Sequence, residues 1–134
     1  MKSTTAAEIM STDPLTAQVG MSVEDALKIL INNKITGMPV IDSKGKMVGV
    51  ISEYDILAQI ASADSLDQSH FQKPIEFSKI TDSVSDVTTL NEIISRFLET
   101  KFRRLPVVDR SGKLVGIITR RDLMRIFYYR AKLR

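Results

Sequence analysis

The chain has 134 residues, of which 43% are hydrophobic and 26% are charged, as expected for one globular domain with a core. It contains no cysteine and a single histidine, His70, so disulfides and thiolate metal sites are excluded, and zinc sites and Ser-His-Asp triads are disfavoured. Nineteen Lys and Arg residues against sixteen Asp and Glu residues give a net charge of +3, which permits anionic ligands without requiring nucleic acid.

The first half of the chain predicts a β-α-β-β-α series. Ser22 and Asp25 have the spacing of a capping box at the start of the first helix. The two central strands are joined by an Asp-x-x-Gly turn at Gly45, where glycine accommodates a positive φ. In chain order the elements are a strand at Leu15–Gln18, a helix after Ser22, strands at Met38–Ile41 and Met47–Ile51, and a helix at Glu53–Ser62.

The second half predicts the same series. A polar connector at Ala61–Lys73, with room for a short helix, precedes it, and a weaker strand signal lies near Ser83–Ser85. The remaining elements are a helix after Thr89, strands at Leu105–Val108 and Leu114–Ile118 joined at Gly112, and a helix at Arg120–Ala131.

An internal repeat explains this similarity. Residues 34–57 align without a gap on residues 101–124 at an offset of 67, and ten of the twenty-four pairs are identical. The chain is therefore two copies of a unit of about 60 residues, a size that favours packing one copy against the other.

The runs ITGMPVIDSKGKMVGVISEYDIL and FRRLPVVDRSGKLVGIITRRDLM resemble a tandem pair of CBS domains (cystathionine-β-synthase domains), also called a Bateman module. They are similar to the stand-alone CBS pairs of plastids and cyanobacteria. The resemblance implies an α/β module of α+β type, with two pseudo-twofold-related β-α-β-β-α units packed into one compact body. The domain boundaries predicted are 1–62 for the first unit, 63–75 for the connector, and 76–134 for the second unit with its basic C-terminal helix.

The motif Gly-h-h-Ser/Thr-x-x-Asp, where h is apolar, occurs once in each copy, at residues 49–55 and 116–122. It spans the end of a strand and the start of a helix, where free N–H groups and the helix dipole suit a phosphate. The resemblance assigns the carboxylates of Asp55 and Asp122 to the two ribose hydroxyls of an adenosine-containing ligand. A structural alternative is a helix cap, with the carboxylate bonded back to the backbone.

Other ligand-binding residues follow from the resemblance and from charge. Pro39 and Pro106, read as starts or edges of strands, flank the adenine in related modules. Arg103 and Arg104, which have no basic counterpart in the first copy, are expected to bind the phosphate of a nucleotide held by Asp55, the alternative being a solvated basic face. The complete set is Thr16, Thr36, Gly37, Met38, Pro39, Gly49, Val50, Ser52, Asp55, Arg103, Arg104, Leu105, Pro106, Gly116, Ile117, Thr119, Arg120, Arg121 and Asp122.

The expected function is regulatory. AMP, ADP or ATP, and less readily S-adenosylmethionine, would bind in the cleft between the units and act through a homodimer or an unidentified protein partner, thioredoxin-like or a metabolic enzyme by analogy. The alternative is a constitutive interaction or oligomerisation module with empty clefts. Neither an enzyme nor a metal site is expected, and the basic, aromatic C-terminal helix favours a core or dimer contact over nucleic acid. With no membrane span or leader pattern, the expected compartment is the cytoplasm, or the plastid stroma if a transit peptide was removed.

Overall fold

The computed structural model describes residues 4–63, 67–79, 81–100 and 103–133. Residues 64–66, in the middle of the predicted connector, lie outside the described part. The helices are α1 Ala6–Ile9, α2 Val23–Asn33, α3 Glu53–Ala61, α4 Gln68–Phe71, α5 Leu90–Thr100 and α6 Arg120–Lys132. The strands are β1 Ala17–Gln18, β2 Gly37–Ile41, β3 Met47–Ser52, β4 Val84–Ser85, β5 Arg104–Val108 and β6 Leu114–Thr119. No described helix is both long enough and apolar enough to cross a bilayer.

Each copy of the repeat forms one mixed three-stranded sheet. The strand order is β1-β2-β3 in one sheet and β4-β5-β6 in the other, and the first pair of each is parallel and the second antiparallel. The turns between the antiparallel strands place Gly45 at φ +81° and Gly112 at φ +88°, as the Asp-x-x-Gly pattern predicts. The α+β class and the two similar units are thereby confirmed.

The two hydrophobic cores show that the repeat extends to packing. Each core contains nine buried residues, and eight of them are related by the offset of 67. The eight pairs are Ala17/Val84, Val23/Leu90, Ala26/Ile93, Leu30/Phe97, Met38/Leu105, Val40/Val107, Ile51/Ile118 and Ile56/Leu123. Period-2 and helical spacing are kept in both copies, so the same faces are buried although several side chains differ in size.

The ninth core residue of each unit comes from a segment that precedes a repeat. Ile75 completes the core that contains the first repeat, and Ala6 completes the core that contains the second. Two compact units result: the first unit is Leu15–Thr81, and the second unit joins the described part of the chain up to Pro14 to the part from Asp82 onward. This division differs from the sequence boundaries 1–62 and 76–134, because the chain's first segment packs with the second repeat.

Candidate functional site

In the first unit, the start of α3 is closed by a capping box. The Ser52 Oγ accepts a hydrogen bond from the Asp55 N–H (3.2 Å), and the Asp55 Oδ2 accepts one from the Ser52 N–H (2.9 Å). The Ser52 hydroxyl also donates to the same Oδ2 atom (2.9 Å). The capping arrangement that the sequence left open is therefore present.

The second unit repeats this geometry at the start of α6. The Thr119 Oγ1 accepts from the Asp122 N–H (3.1 Å), and the Asp122 Oδ2 accepts from the Thr119 N–H (2.8 Å). Both carboxylates are half-buried, so each stands at the surface of its unit rather than in the core.

Capping occupies only one oxygen of each carboxylate. Among the described residues, all the hydrogen bonds made by the side chains of Asp55 and Asp122 are to Oδ2, and Oδ1 has no protein partner. A carboxylate oxygen accepts from hydroxyl groups through two lone pairs. The cap and a hydroxyl-bearing ligand are therefore compatible on the same side chain.

The amide groups at these helix starts are mostly used by the protein. The Glu53 N–H donates to the carbonyl of Thr36 (2.9 Å), and the Arg120 N–H donates to the carbonyl of Arg103 (3.2 Å). Together with the capping bonds, these contacts take up the N–H groups of the N-cap, first and third helical residues. Of these amides, only that of the second helical residue, Tyr54 or Arg121, is left for a phosphate. Side-chain cations must then supply most of any anion binding.

Strand pairing brings several predicted residues to the same helix start. Gly37 pairs with Ser52 in the first unit, and Arg104 pairs with Thr119 in the second. Arg104 is half-buried, and desolvation, with a smaller contribution from the neighbouring Arg103, lowers the pKa of its guanidinium. Arg103, Arg120 and Arg121 are exposed. The second unit thus gathers four arginines around one capped helix, whereas the equivalent positions of the first unit are Thr36, Gly37, Glu53 and Tyr54.

The prolines lie in the central strand of each sheet, so their interpretation as starts or edges of strands is wrong. Pro39 is buried in β2 and pairs with Val50, and Pro106 is buried in β5 and pairs with Ile117. The N–H of Val50 donates to Ser78, so Pro39 and Val50 exchange no hydrogen bonds. On the other side, β1 pairs with β2 only from Val40 onward. A missing N–H therefore costs nothing at Pro39. Met38 and Leu105, adjacent to these prolines, are core residues.

Gly49 and Gly116 belong to the predicted ligand-binding set, but the protein itself fills the space that a Cβ on either residue would need. A Cβ on Gly49 would meet the Ser78 carbonyl oxygen and, at 2.7 and 2.9 Å, two ring carbons of Phe77. A Cβ on Gly116 would meet the Met10 sulfur, the Met10 Cγ at 2.7 Å and the Ser11 carbonyl oxygen at 2.9 Å. These glycines are required by chain packing.

The same two segments also bind the backbone of two predicted ligand residues. The Val50 N–H donates to the Ser78 carbonyl (2.8 Å), and the Val50 carbonyl accepts from the Ser78 N–H (3.0 Å). Ile117 and Ser11 make the same pair of bonds in the second unit. Sequence reasoning missed this pairing, although Ser11 and Ser78 are separated by 67 residues, the repeat offset.

The rest of the predicted set keeps its status as a prediction. Thr16 is half-buried directly before β1. The proposed reach of Arg103 and Arg104 to a nucleotide on Asp55 involves the two different units and stays a prediction. No group of three or more His, Asp or Glu side chains in the described ranges is arranged to hold a metal ion.

The protein consists of two α+β units with the same order of elements, and each unit has a capped helix start after its third strand. It is therefore a tandem repeat protein. The CBS domain family model matches residues 6–62 and 78–129, and the chain therefore belongs to the CBS domain family, as a tandem pair. Its resemblance to CBS pairs is thereby confirmed.

Similar proteins include chloroplastic CBS pairs. The chain is 40% identical to the CBS domain-containing protein CBSX2, chloroplastic, of Arabidopsis thaliana, over 78% of this chain and 54% of that protein. It spans about half the length of the curated relatives CBSX2 and CBSX1, 54% and 55% respectively. Both relatives are named as CBS domain-containing proteins.

Solved structures of two CBS pairs contain adenosine compounds. The crystal structure of CBSX2 in complex with AMP has a TM-score of 0.77 and 38% identity, and covers 93% of this chain and 96% of that chain. The CBS domain pair of protein MJ0100, in complex with 5'-methylthioadenosine and S-adenosyl-L-methionine, has a TM-score of 0.74 and 28% identity, and covers 96% of this chain and 99% of that chain.

Proposed function

We propose that the protein is a regulatory module that binds an adenosine-containing ligand, AMP, ADP or ATP, and transmits its occupancy to a protein partner or to the geometry of a homodimer. The observation that carries this proposal is the pair of carboxylates, Asp55 and Asp122, each with Oδ2 in a cap and Oδ1 without a protein partner among the described residues. The AMP complex of the similar CBSX2 supports the choice of ligand.

The chemistry assigned to these groups is simple. The Oδ1 atom accepts hydrogen bonds from the ribose hydroxyls, while the cap holds the carboxylate in one orientation. The half-buried Arg104, supported by Arg103, binds the phosphate, because a guanidinium forms paired hydrogen bonds with phosphate oxygens. In this proposal the ligand acts by changing the contact with a protein partner or the geometry of a homodimer, and these residues catalyse no reaction. The cytoplasm, or the plastid stroma, is the proposed compartment, since the two curated relatives are named as chloroplastic.

The phosphate role is tested by calorimetric titration of Arg104→Ala with AMP and with adenosine. Loss of a hydrogen bond to a charged group costs about 1.5–3 kcal/mol, so AMP affinity should fall about 10- to 100-fold while adenosine affinity is retained. Arg110→Ala, which removes an exposed arginine in the β5–β6 turn, is the matched control. Equal losses of affinity for AMP and adenosine would contradict a role of Arg104 in binding the phosphate.

The ribose role is tested with Asp55→Asn and Asp122→Asn. Asparagine is isosteric with aspartate but presents an amide nitrogen that cannot accept from a hydroxyl. Each variant should lose AMP and adenosine binding in its own unit. A thermal-shift screen of the wild type with AMP, ADP, ATP, S-adenosylmethionine and NADH identifies the ligand, since only binding to the folded state raises the melting temperature.

A second candidate function, a constitutive interaction or oligomerisation module with empty clefts, is favoured by one observation. Large apolar side chains are exposed on the helices, among them Ile31, Leu57, Leu98 and Met124. The absence of any thermal shift with the nucleotide panel, together with a stable dimer, would select this function over ligand sensing. A thioredoxin-like or metabolic partner stays a proposal by analogy.

A further inference from the structure

Helix α6 has a buried side and an exposed side. On the buried side, Leu123 lies in the core of the second unit and Ile126 is half-buried. The sequence favoured a core or dimer contact over nucleic acid for this helix, and the buried side provides the core contact. The exposed side carries four residues that this contact does not use, and we call them the α6 stripe: Arg121, Arg125, Tyr128 and Lys132.

The α6 stripe follows from helical spacing. Its members are at positions i, i+4, i+7 and i+11, which lie on one side of a helix with about 3.6 residues per turn. At a rise of about 1.5 Å per residue, the stripe is about 16 Å long. No equivalent stripe is present on α3, because α3 contains no basic residue and α6 continues for four residues past the position that corresponds to the end of α3.

The cations of the α6 stripe are available to a ligand. Helix α6 has five basic residues and one acidic residue, Asp122, whose carboxylate is held in the cap of the helix. Among the residues that the structure describes, no ion pair includes a cation of α6. An anion can therefore bind to Arg121, Arg125 and Lys132 without displacing an acidic partner within the protein.

Tyr128 gives the α6 stripe an aromatic surface. Its side chain is 57% exposed, the Lys132 Nζ lies 5.6 Å from the centroid of its ring, and the Tyr129 ring contacts it edge to face with the centroids 5.3 Å apart. These contacts hold the ring close to the cations without burying it. Exposed aromatic rings on which bases stack, next to cations that bind the phosphates, are typical of proteins that bind single strands. An acidic protein segment would use the cations alone.

We propose that the α6 stripe binds single-stranded nucleic acid without sequence specificity. Arg121, Arg125 and Lys132 pair with successive phosphates, and Tyr128 stacks on a base. This activity is additional to the adenosine-binding function proposed above. Because Arg121 also belongs to the predicted ligand-binding set, binding is measured with the full chain and without an adenosine ligand.

The phosphate contacts are tested by fluorescence anisotropy with a labelled oligouridylate of about twelve nucleotides. For a single strand, the logarithm of the affinity falls with the logarithm of the salt concentration by about 0.7 per phosphate bound, so three contacts give a slope of about −2. The affinity should then fall about 16-fold between about 50 and about 200 mM salt. Arg125→Ala and Lys132→Ala should each weaken binding and reduce the slope by about 0.7. Arg110→Ala, which removes an exposed arginine in the β5–β6 turn, is the matched control and should change neither quantity.

The stacking contact is tested at Tyr128. Tyr128→Ala should lower the affinity for the oligouridylate about 5- to 150-fold with the salt slope unchanged, because it removes stacking on one base but no phosphate contact. Tyr128→Phe keeps the aromatic ring and should bind as the wild type does. A decaglutamate peptide, which offers charge without bases, should bind more weakly than the oligouridylate and should not respond to Tyr128→Ala.

Three results would overturn the proposal. The first is no binding of the oligouridylate at about 50 mM salt, where phosphate contacts are strong. The second is an equal effect of Arg110→Ala and Arg125→Ala, which would show that net charge alone attracts the strand. The third is binding of decaglutamate at least as tight as that of the oligouridylate, which would assign the α6 stripe to an acidic protein segment. Circular dichroism checks that each variant keeps its helices, and calorimetry with AMP tests the proposed adenosine site independently.

Discussion

Substitution of Gly49 by alanine probes the close packing of the Ser78 segment against β3 in the first unit. The new Cβ would lie against the Ser78 carbonyl oxygen and within 3 Å of two ring carbons of Phe77. The segment around Ser78 must then move away from β3. Its two backbone hydrogen bonds to Val50, at 2.8 and 3.0 Å, are strained or lost.

The magnitude follows from these contacts. Two backbone hydrogen bonds contribute about 2 kcal/mol net, and overpacking without movement costs about 1–3 kcal/mol. Alanine recovers about 0.5–1 kcal/mol relative to glycine in a strand. The free energy of unfolding should therefore fall by about 1–1.5 kcal/mol, and the urea midpoint by about 0.5–0.75 M for a slope of about 2 kcal/mol/M.

Gly116→Ala is the matched variant in the second unit. Its nearest neighbours are side-chain atoms of Met10, which can rotate, whereas the nearest neighbour of Gly49 is a backbone oxygen, which cannot. Met10→Ala should therefore relieve part of the cost of Gly116→Ala. Phe77→Ala should not relieve Gly49→Ala, because the Ser78 carbonyl remains in place.

The assay is urea unfolding followed by circular dichroism, with a double-mutant cycle for each pair. An unchanged urea midpoint for Gly49→Ala would refute the close approach of the Ser78 segment to β3. Equal coupling in the two cycles would refute the distinction between a backbone obstacle and a side-chain obstacle.

Two further predictions concern the β5–β6 turn. Gly112→Ala should lower the free energy of unfolding by about 1 kcal/mol, because φ is +88° and nothing lies within 4 Å of the added Cβ, so the cost is conformational. Gly112→Asn should cost less, since asparagine tolerates a positive φ better than alanine does. Equal losses for the two variants in urea unfolding would contradict a purely conformational cause. The pKa of Asp109 is lowered chiefly by the hydrogen bond from the Ser111 hydroxyl. The ionised carboxylate therefore stabilises the fold at pH values above the ordinary aspartate pKa of about 3.9, and this contribution is lost as the pH falls below that value. Asp109→Asn should flatten the acid side of the urea midpoint plotted against pH, and a curve parallel to the wild type would count against this assignment.

The sequence predicted the fold closely because its signals were local and present twice. The predicted helix Glu53–Ser62 is observed as Glu53–Ala61, and Arg120–Ala131 as Arg120–Lys132. The unclear strand near Ser83–Ser85 is the short β4, and the connector contains the short helix α4. Strands of two residues give too little pattern to predict firmly.

For the candidate site, the sequence predicted a helix start with the spacing of a cap in each copy, but not the chain segments that pack around it. Ser52 and Asp55 are three residues apart, so their capping box is a property of one helical turn. The interpretation of Pro39 was wrong because a central strand accepts a proline wherever neither adjacent strand needs a hydrogen bond from that position. Whether this holds depends on the register of β1 and on the hydrogen-bond partner of Val50, which the sequence does not show.

The sequence alone determined the repeat and the longer helices and strands, since each depends on periodicity or on residues a few positions apart. Only the tertiary structure decided that Ala6 packs with the second repeat and that Gly49 is a glycine because Ser78 lies against it. These contacts join residues distant along the chain, and their energies arise from close packing and from hydrogen bonds formed only after the segments meet. The spacing of residues along the sequence does not predict such contacts.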